Sequence, residues 1–221
     1  MGIISVEQAD RLYWLGRYTE RVNTTIKMFG RSFDSMIDGI PETYGEFCKM
    51  IDIPDVYGSM DVFNKNYPFD ESNPDSIISN LTRAYDNAIV LRESIGSETL
   101  SYIQLAIYEM QKAKISDSPL IELQKVLDYL LAFWGVADDL IDDERVRNII
   151  KAGKRIERID LYARLGAGGK ELIREVSRMI PRVERSGLNY DVDNLIKIKE
   201  MVNSSDVDFY GVVQAVESVF C

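Results

Sequence analysis

Leu12-Tyr13-Trp14-Leu15-Gly16-Arg17-Tyr18-Thr19-Glu20-Arg21 has a counterpart far downstream, Lys151-Ala152-Gly153-Lys154-Arg155-Ile156-Glu157-Arg158-Ile159-Asp160. With Gly16 set over Gly153, both read Gly-basic-x-x-Glu-Arg, and each has a further basic residue beyond it, Lys27 and Arg164. Both segments have helical character, and on a helix residues four apart share a face. Gly16 therefore lies under Glu20 and Gly153 under Glu157, with Arg17 and Arg21, or Lys154 and Arg158, in a parallel row. A glycine below a glutamate lets another helix come close, with a charge waiting at the contact.

Working outward, Ser5 and Gln8 have the form of a capping box. Leu12, Leu15, Val22, Ile26, Phe29 and Phe33 then recur at roughly helical spacing to about Ser35, where Asp38-Gly39-Ile40-Pro41 closes the helix. A shorter helix is expected from about Glu42 to Ile51, stopped by Pro54, and Asn64 to Pro74 reads as a surface loop. Asn73-Pro74 has the form of an N-cap with proline at N1, starting a helix near Asp75 that runs to about Ile95. Gly96 breaks it and Ser97 caps a successor through about Lys114; Ser118-Pro119 then opens an apolar helix ending near Ala137. Gly135 marks that end, and Asp142 or Asp143 caps the second signature helix, which reaches about Leu165. After Gly166-Ala167-Gly168-Gly169, three more helices are expected at about Lys170–Ser186, Asp191–Asn203 and Val207–Val219. Proline keeps to element edges and no stretch alternates with period two. The prediction is an all-α chain: one domain over residues 1–221, a bundle of about seven to nine helices, with two similar halves if the signature is an internal repeat.

The apolar fraction of 46% and charged fraction of 28% are those of an ordinary globular protein. A net charge of −10 argues against a general nucleic-acid or anionic-membrane surface, so neither partner is expected. Arg145, Arg147, Lys151, Lys154, Arg155 and Arg158 form a candidate local basic patch, or simply a solvated helix face. The chain has no histidine, which removes Ser-His-Asp, Cys-His and Glu-x-x-His chemistries and leaves carboxylates and basic side chains as the groups that could act. Cys48 and Cys221 make no disulfide framework or metal pattern and read as reduced thiols. The N-terminus lacks the form of a signal peptide, Val6 breaks the myristoylation pattern, and the longest apolar run, Tyr129 to Ala137, is too short to span a bilayer. A cytoplasmic protein is expected.

Four constellations could carry chemistry. In the first, Glu20 and Glu157 face each other inside the bundle and Arg21 and Arg158 clamp a carboxylate or phosphate in bidentate fashion. The alternative is that each glutamate pairs with an arginine of the other segment and pins the register of two close-packed helices, since buried pairs are costly to break. The second gathers Asn87, Arg92, Glu93, Ser97 and Glu98 around the Gly96 break, where capping and surface pairing are an equally complete account. The third, Asp138-Asp139-Leu140-Ile141-Asp142, matches the Asp-Asp-x-x-Asp pattern with which trans-prenyl synthases hold Mg²⁺ against a diphosphate. It stands alone here, without a second such motif. The fourth, a ferritin-like di-metal site, needs the histidines that the chain lacks. Tyr13, Trp14, Tyr18, Phe133 and Trp134 read as core aromatics.

The first signature, Leu12 through Arg21, resembles that of the bacterial alpha-E domain family, an all-helical group. The resemblance continues at Asn87-Ala88 through Arg92-Glu93 to Glu98, and again at Gly153-Lys154-Arg155-x-Glu157-Arg158-x-Asp160 with Arg164. The chain departs from the family pattern at Thr99-Leu100, at Val90, at Lys27 and at Lys154-Arg155. The resemblance implies an accessory or partner of an ATP-grasp peptide or amide ligase, with a transglutaminase-like protein as a further neighbour and a peptide or carboxylate ligand. It implies no cofactor. The charged site it implies comprises Arg17, Glu20, Arg21, Arg92, Glu93, Glu98, Glu157 and Arg158. The alternatives are a Mg²⁺-dependent enzyme on prenyl diphosphates using Asp138, Asp139 and Asp142, and a purely structural helical interaction module.

Overall fold

The computed structural model describes residues 3–37, 43–166 and 169–220. Eleven α-helices and one 3-10 turn account for most of it, and among the described residues there is no strand, only an isolated bridge between Tyr190 and Phe220. The helices are α1 (Val6–Ile37), α2 (Thr43–Met50), α3 (Met60–Asn66), α4 (Ile77–Val90), α5 (Arg92–Ile95) and α6 (Ser97–Lys114), then α7 (Pro119–Leu140), α8 (Glu144–Arg164), α9 (Gly169–Glu184), α10 (Val192–Asn203) and α11 (Phe209–Glu217). The chain packs as two compact units, one of residues 1–20 and 141–221, the other of residues 21–140.

In the first unit α8 packs on α9 and α11, and α10 on α9 and α11. Periodicity explains the core: Ala152, Ile156, Ile159 and Ala163 of α8 meet Leu172, Val176, Met179 and Val183 of α9, both sets at steps of three and four residues. Leu195, Ile198, Val202, Val212 and Val216 close the cluster from α10 and α11. In the second unit α6 packs on α4 and α7 through Ile103, Ala106, Met110, Leu123, Val126 and Leu130, all buried. Beside them Phe29, Phe47, Phe63 and Tyr67 form an aromatic nest in which Phe63 and Tyr67 stack at 4.9 Å.

Several helix ends fall where the residues place them. Ser5 Oγ accepts from the Gln8 amide at 3.1 Å, and Asp143 Oδ1 accepts from the Arg145 amide at 2.9 Å, capping α8. Asp143→Ala is expected to lose about 1 kcal/mol in urea unfolding, since it strips that cap and its negative charge at the helix N-terminus.

Five features differ from expectation. The helix expected from Asp75 starts at Ile77, because Ser76 and not Asn73 caps it; Asn73 Oδ1 instead takes the Asp75 amide in the turn before. It ends at Leu91 (ψ 5°), leaving α5 as a separate turn, so Gly96 closes that turn instead. The stretch read as loop from Asn64 contains the end of α3 and the 3-10 turn Tyr67–Phe69, anchored by the buried rings. Gly135 lies within α7, which runs on to Leu140. Pro181 lies inside α9; having no N–H to give to the carbonyl four residues back, it is followed by only three more helical residues. The two additional short helices bring the count above nine. The expected stop at Asp38–Pro41, the break at Ala167–Gly168 and Cys221 lie outside the described residues.

Candidate functional site

The signature segments meet within the first unit at a crossing of α1 and α8. A Cβ placed on Gly16 would overlap the carbonyl oxygen of Ile150, and one on Gly153 would overlap that of Tyr13. Each glycine thus receives the carbonyl of the residue three before its counterpart, a local two-fold relation between the segments. The contacts advance together along both segments, Gly16 near Ile150 and Lys154, Arg17 near Gly153 and Glu157, and Glu20 near Arg158, so the helices run in the same sense.

That backbone-on-backbone approach carries the charges into the interior. Glu20, Glu157 and Asp160 are fully buried and Arg17 nearly so. Arg17 Nε donates to Glu157 Oε2 at 2.6 Å, and its Nη2 lies 3.7 Å from Asp160 Oδ2. The guanidinium is covered by the ring of Trp14, 5.0 Å from its centroid, so Tyr13 and Trp14 serve as a half-buried lid on an arginine and not as plain core. From the other helix Arg158 Nε donates to Glu20 Oε1 at 2.7 Å. Asp160 also accepts from Arg164 Nε at 2.8 Å. Burial, reinforced by Glu157, raises the Asp160 carboxyl, with Arg164 and Arg17 opposing.

Sequence reading missed one participant entirely. Glu175, buried on α9, receives Arg155 Nη1, Arg178 Nη1 at 3.1 Å, Arg174 Nε at 3.4 Å and Arg158 Nη1 at 3.6 Å. Burial pushes its carboxyl up, but Arg155, Arg158 and Arg178 outweigh that and hold it below its ordinary value. The signal was available: in α9 Leu172, Val176, Met179 and Val183 make an apolar stripe, and Glu175 interrupts it one position from Val176. Asp160 was quoted in the motif, yet its place three residues past Glu157 and four before Arg164 was not read as part of the cluster.

Lys154 takes the position that Arg17 holds in the other segment. Burial pushes its ammonium down to about 7; Glu20 opposes this while Arg158, Arg155 and Lys151 add to it. Between about 7 and the ordinary lysine value the unfolded chain keeps a proton that the fold releases, so this group makes stability rise with pH across that window. Relative to Lys154→Met, the wild-type protein is expected to gain stability from pH 7 to 9 with a slope of at most about 1.4 kcal/mol per pH unit, read from urea unfolding at each pH. Parallel pH profiles would remove the depressed lysine.

Of the eight expected site residues, the crossing brings together Arg17, Glu20, Glu157 and Arg158. Arg21, Arg92, Glu93 and Glu98 belong to the second unit. There Arg92 and Glu93 are exposed in α5, Arg92 Nε donates to Ser97 Oγ at 2.9 Å, and Glu98 sits exposed in the first turn of α6. Asp138 and Asp139 are exposed at the end of α7, and Asp142 lies beyond it with its carbonyl accepting from Arg147 Nη1 at 3.1 Å. Among the described residues no group of three or more acidic or cysteine side chains is placed to hold a metal ion, and no helix is long and apolar enough to cross a membrane. Cys48 is free and buried, and burial pushes its thiol up to about 11.

A family model, Alpha-E, described as a predicted alpha-helical domain with a conserved ER motif, matches residues 7–201. Both Glu20-Arg21 and Glu157-Arg158 fall inside the matched range. No curated protein and no solved structure matches the chain significantly.

Proposed function

The chain belongs to the Alpha-E family, and from that premise we propose that it is a non-catalytic accessory partner of an ATP-grasp ligase in bacterial, cytoplasmic peptide synthesis or modification. The observation that carries this reading is the mutual engagement of the signature charges. Arg17 is spent on Glu157 and Asp160, and Arg158 on Glu20 and Glu175, around two glycines with no room for a side chain. Groups so engaged specify an arrangement of helices, because removing one member strands its partner in the interior. A signature that builds the scaffold leaves function to the surface, as an accessory protein requires. The resemblance set out above supplies the ligase as partner, with a transglutaminase-like protein as its neighbour.

The test is affinity capture of the tagged full chain from its own cells, with mass spectrometry asking for an ATP-grasp ligase, followed by binding of the purified pair. Arg17→Met/Glu157→Leu, which replaces the buried pair by apolar side chains, is captured alongside after circular dichroism. Retention of the ligase by wild type and folded variant alike is the expected result. Absence of any ATP-grasp ligase from the wild-type capture overturns the partnership, and its loss from a folded variant alone would place the partner on the charged core.

A further inference from the structure

Charge is distributed unevenly along this chain. Between Glu144 and Arg185 stand twelve basic and six acidic residues, a surplus of six positive charges in a chain whose net charge is −10. The segment is essentially α8 and α9, which pack on each other, and four of their arginines converge on Glu175. Four guanidiniums offer about twenty N–H donors, whereas a carboxylate has about four lone-pair sites. Even with Glu20 taking one bond from Arg158, the donors far exceed the acceptors the protein supplies. The excess is open to solvent: Arg174 and Arg178 are each more than half exposed, while Glu175 beneath them is buried. A buried carboxylate beneath the arginines anchors one N–H of each and keeps their mutual repulsion tolerable, leaving their remaining N–H groups for another acceptor.

We propose that the arginine layer of α8 and α9 over Glu175 is a binding site for an acidic peptide in extended conformation. Spacing selects a peptide over a single oxyanion. Arg174, Arg178 and Arg182 follow one another at four-residue steps along α9, about 6 Å apart along the helix axis. Alternate side chains of an extended chain recur at about 6.6 Å on one face, so carboxylates at every second residue match the row. Guanidinium is also the cation that takes carboxylate in two parallel hydrogen bonds. Such a peptide would be the ligand of the accessory role, and it rests on that role only for its biological source; binding itself requires no ligase.

The probe is a fluorescein-labelled alternating Glu-Ser peptide with four glutamates, titrated with the full chain by anisotropy at low salt. The Gln-Ser analogue and tripolyphosphate accompany it. Arg174→Ala/Arg178→Ala changes two exposed helical positions to the best helix former; it takes two of the four cations from Glu175 and leaves Arg155 and Arg158, so its fold is checked by circular dichroism first. Lys197→Ala/Lys199→Ala removes the same charge from exposed positions of α10. Expected are saturable binding of the Glu-Ser peptide that weakens with added salt, no binding of the Gln-Ser analogue, and a loss of at least about tenfold in the arginine variant but not the lysine variant. Absence of binding, or equal losses in both variants, would overturn the site. Displacement of the peptide by tripolyphosphate at equal or lower concentration would overturn its assignment to a peptide. Because no ligase is present, a missing ligase partner and a missing peptide site give separate results.

Discussion

Gly16→Ala is expected to destabilise the protein by about 2–4 kcal/mol, and Gly153→Ala by a similar amount. The methyl group would land on a backbone carbonyl, Ile150 in one case and Tyr13 in the other, and backbone within a helix cannot turn aside as a side-chain tip can. The helices must separate, which lengthens the hydrogen bonds of Arg17 to Glu157 and of Arg158 to Glu20. Gly30 and Gly135 provide the control, since both lie inside helices and a Cβ on either meets nothing within 4 Å. There alanine is expected to stabilise by about 0.5–1 kcal/mol, because glycine in a helix interior loses more backbone freedom on folding. One substitution thus has opposite signs at four helical glycines, measurable by urea unfolding. The double Gly16→Ala/Gly153→Ala variant should lose less than the sum of the singles, since the first methyl already opens the crossing. Equal small effects at all four positions would mean that the crossing is loose.

How much of this was legible beforehand depends on whether a feature is written locally. Gly16 under Glu20 and Gly153 under Glu157 is a statement about one helix at a time, and the spacing of four carried it. Ser5 and Asp143 are likewise visible because a cap works within three residues of itself. The 3-10 turn at Tyr67–Phe69 was hidden among turn-forming residues, because it depends on rings that come from Phe29 and Phe47, remote in sequence. The break at Leu91 has no glycine or proline to announce it. At the site, spacing puts Arg17, Glu20, Glu157 and Arg158 beside a close helix contact, but which charge meets which is set by the crossing of α1 and α8 and, for Arg158, by the packing of α9 on α8. Glu175 belongs to neither signature, and only its place on an apolar stripe marks it. Lys154 was read as one basic residue in a row; its depressed ammonium follows from burial, which spacing does not report.

Glu157→Gln is expected to cost about 3–5 kcal/mol, the typical penalty for stranding one member of a buried ion pair. The replacement keeps shape and a hydrogen-bond acceptor, so the loss isolates the charge. Arg17 would be left with Asp160, 3.7 Å away and with its own carboxyl raised by burial, as its nearest counter-charge. Arg17→Met is expected to cost as much, since it takes the paired cation from buried Glu157 and leaves Asp160 to Arg164. Combining Arg17→Met with Glu157→Leu should recover a large part of both losses, because apolar side chains at both positions need no counter-charge. Glu20→Gln should cost less than Glu157→Gln: Arg158 is more exposed than Arg17 and keeps Glu175 at 3.6 Å. The exposed Lys125–Glu122 pair sets the scale for an ordinary contact, about 0–1 kcal/mol when broken. If the buried and exposed pairs lose equally little, the signature does not hold the crossing and the glycines must do so alone. If Glu157→Gln folds with wild-type stability yet fails to retain a ligase, the Glu-Arg motif is a recognition site and the architectural premise of the accessory role falls. A large loss rescued by the apolar double variant, with the ligase still bound, is the outcome in which the motif builds the scaffold and the surface performs the function.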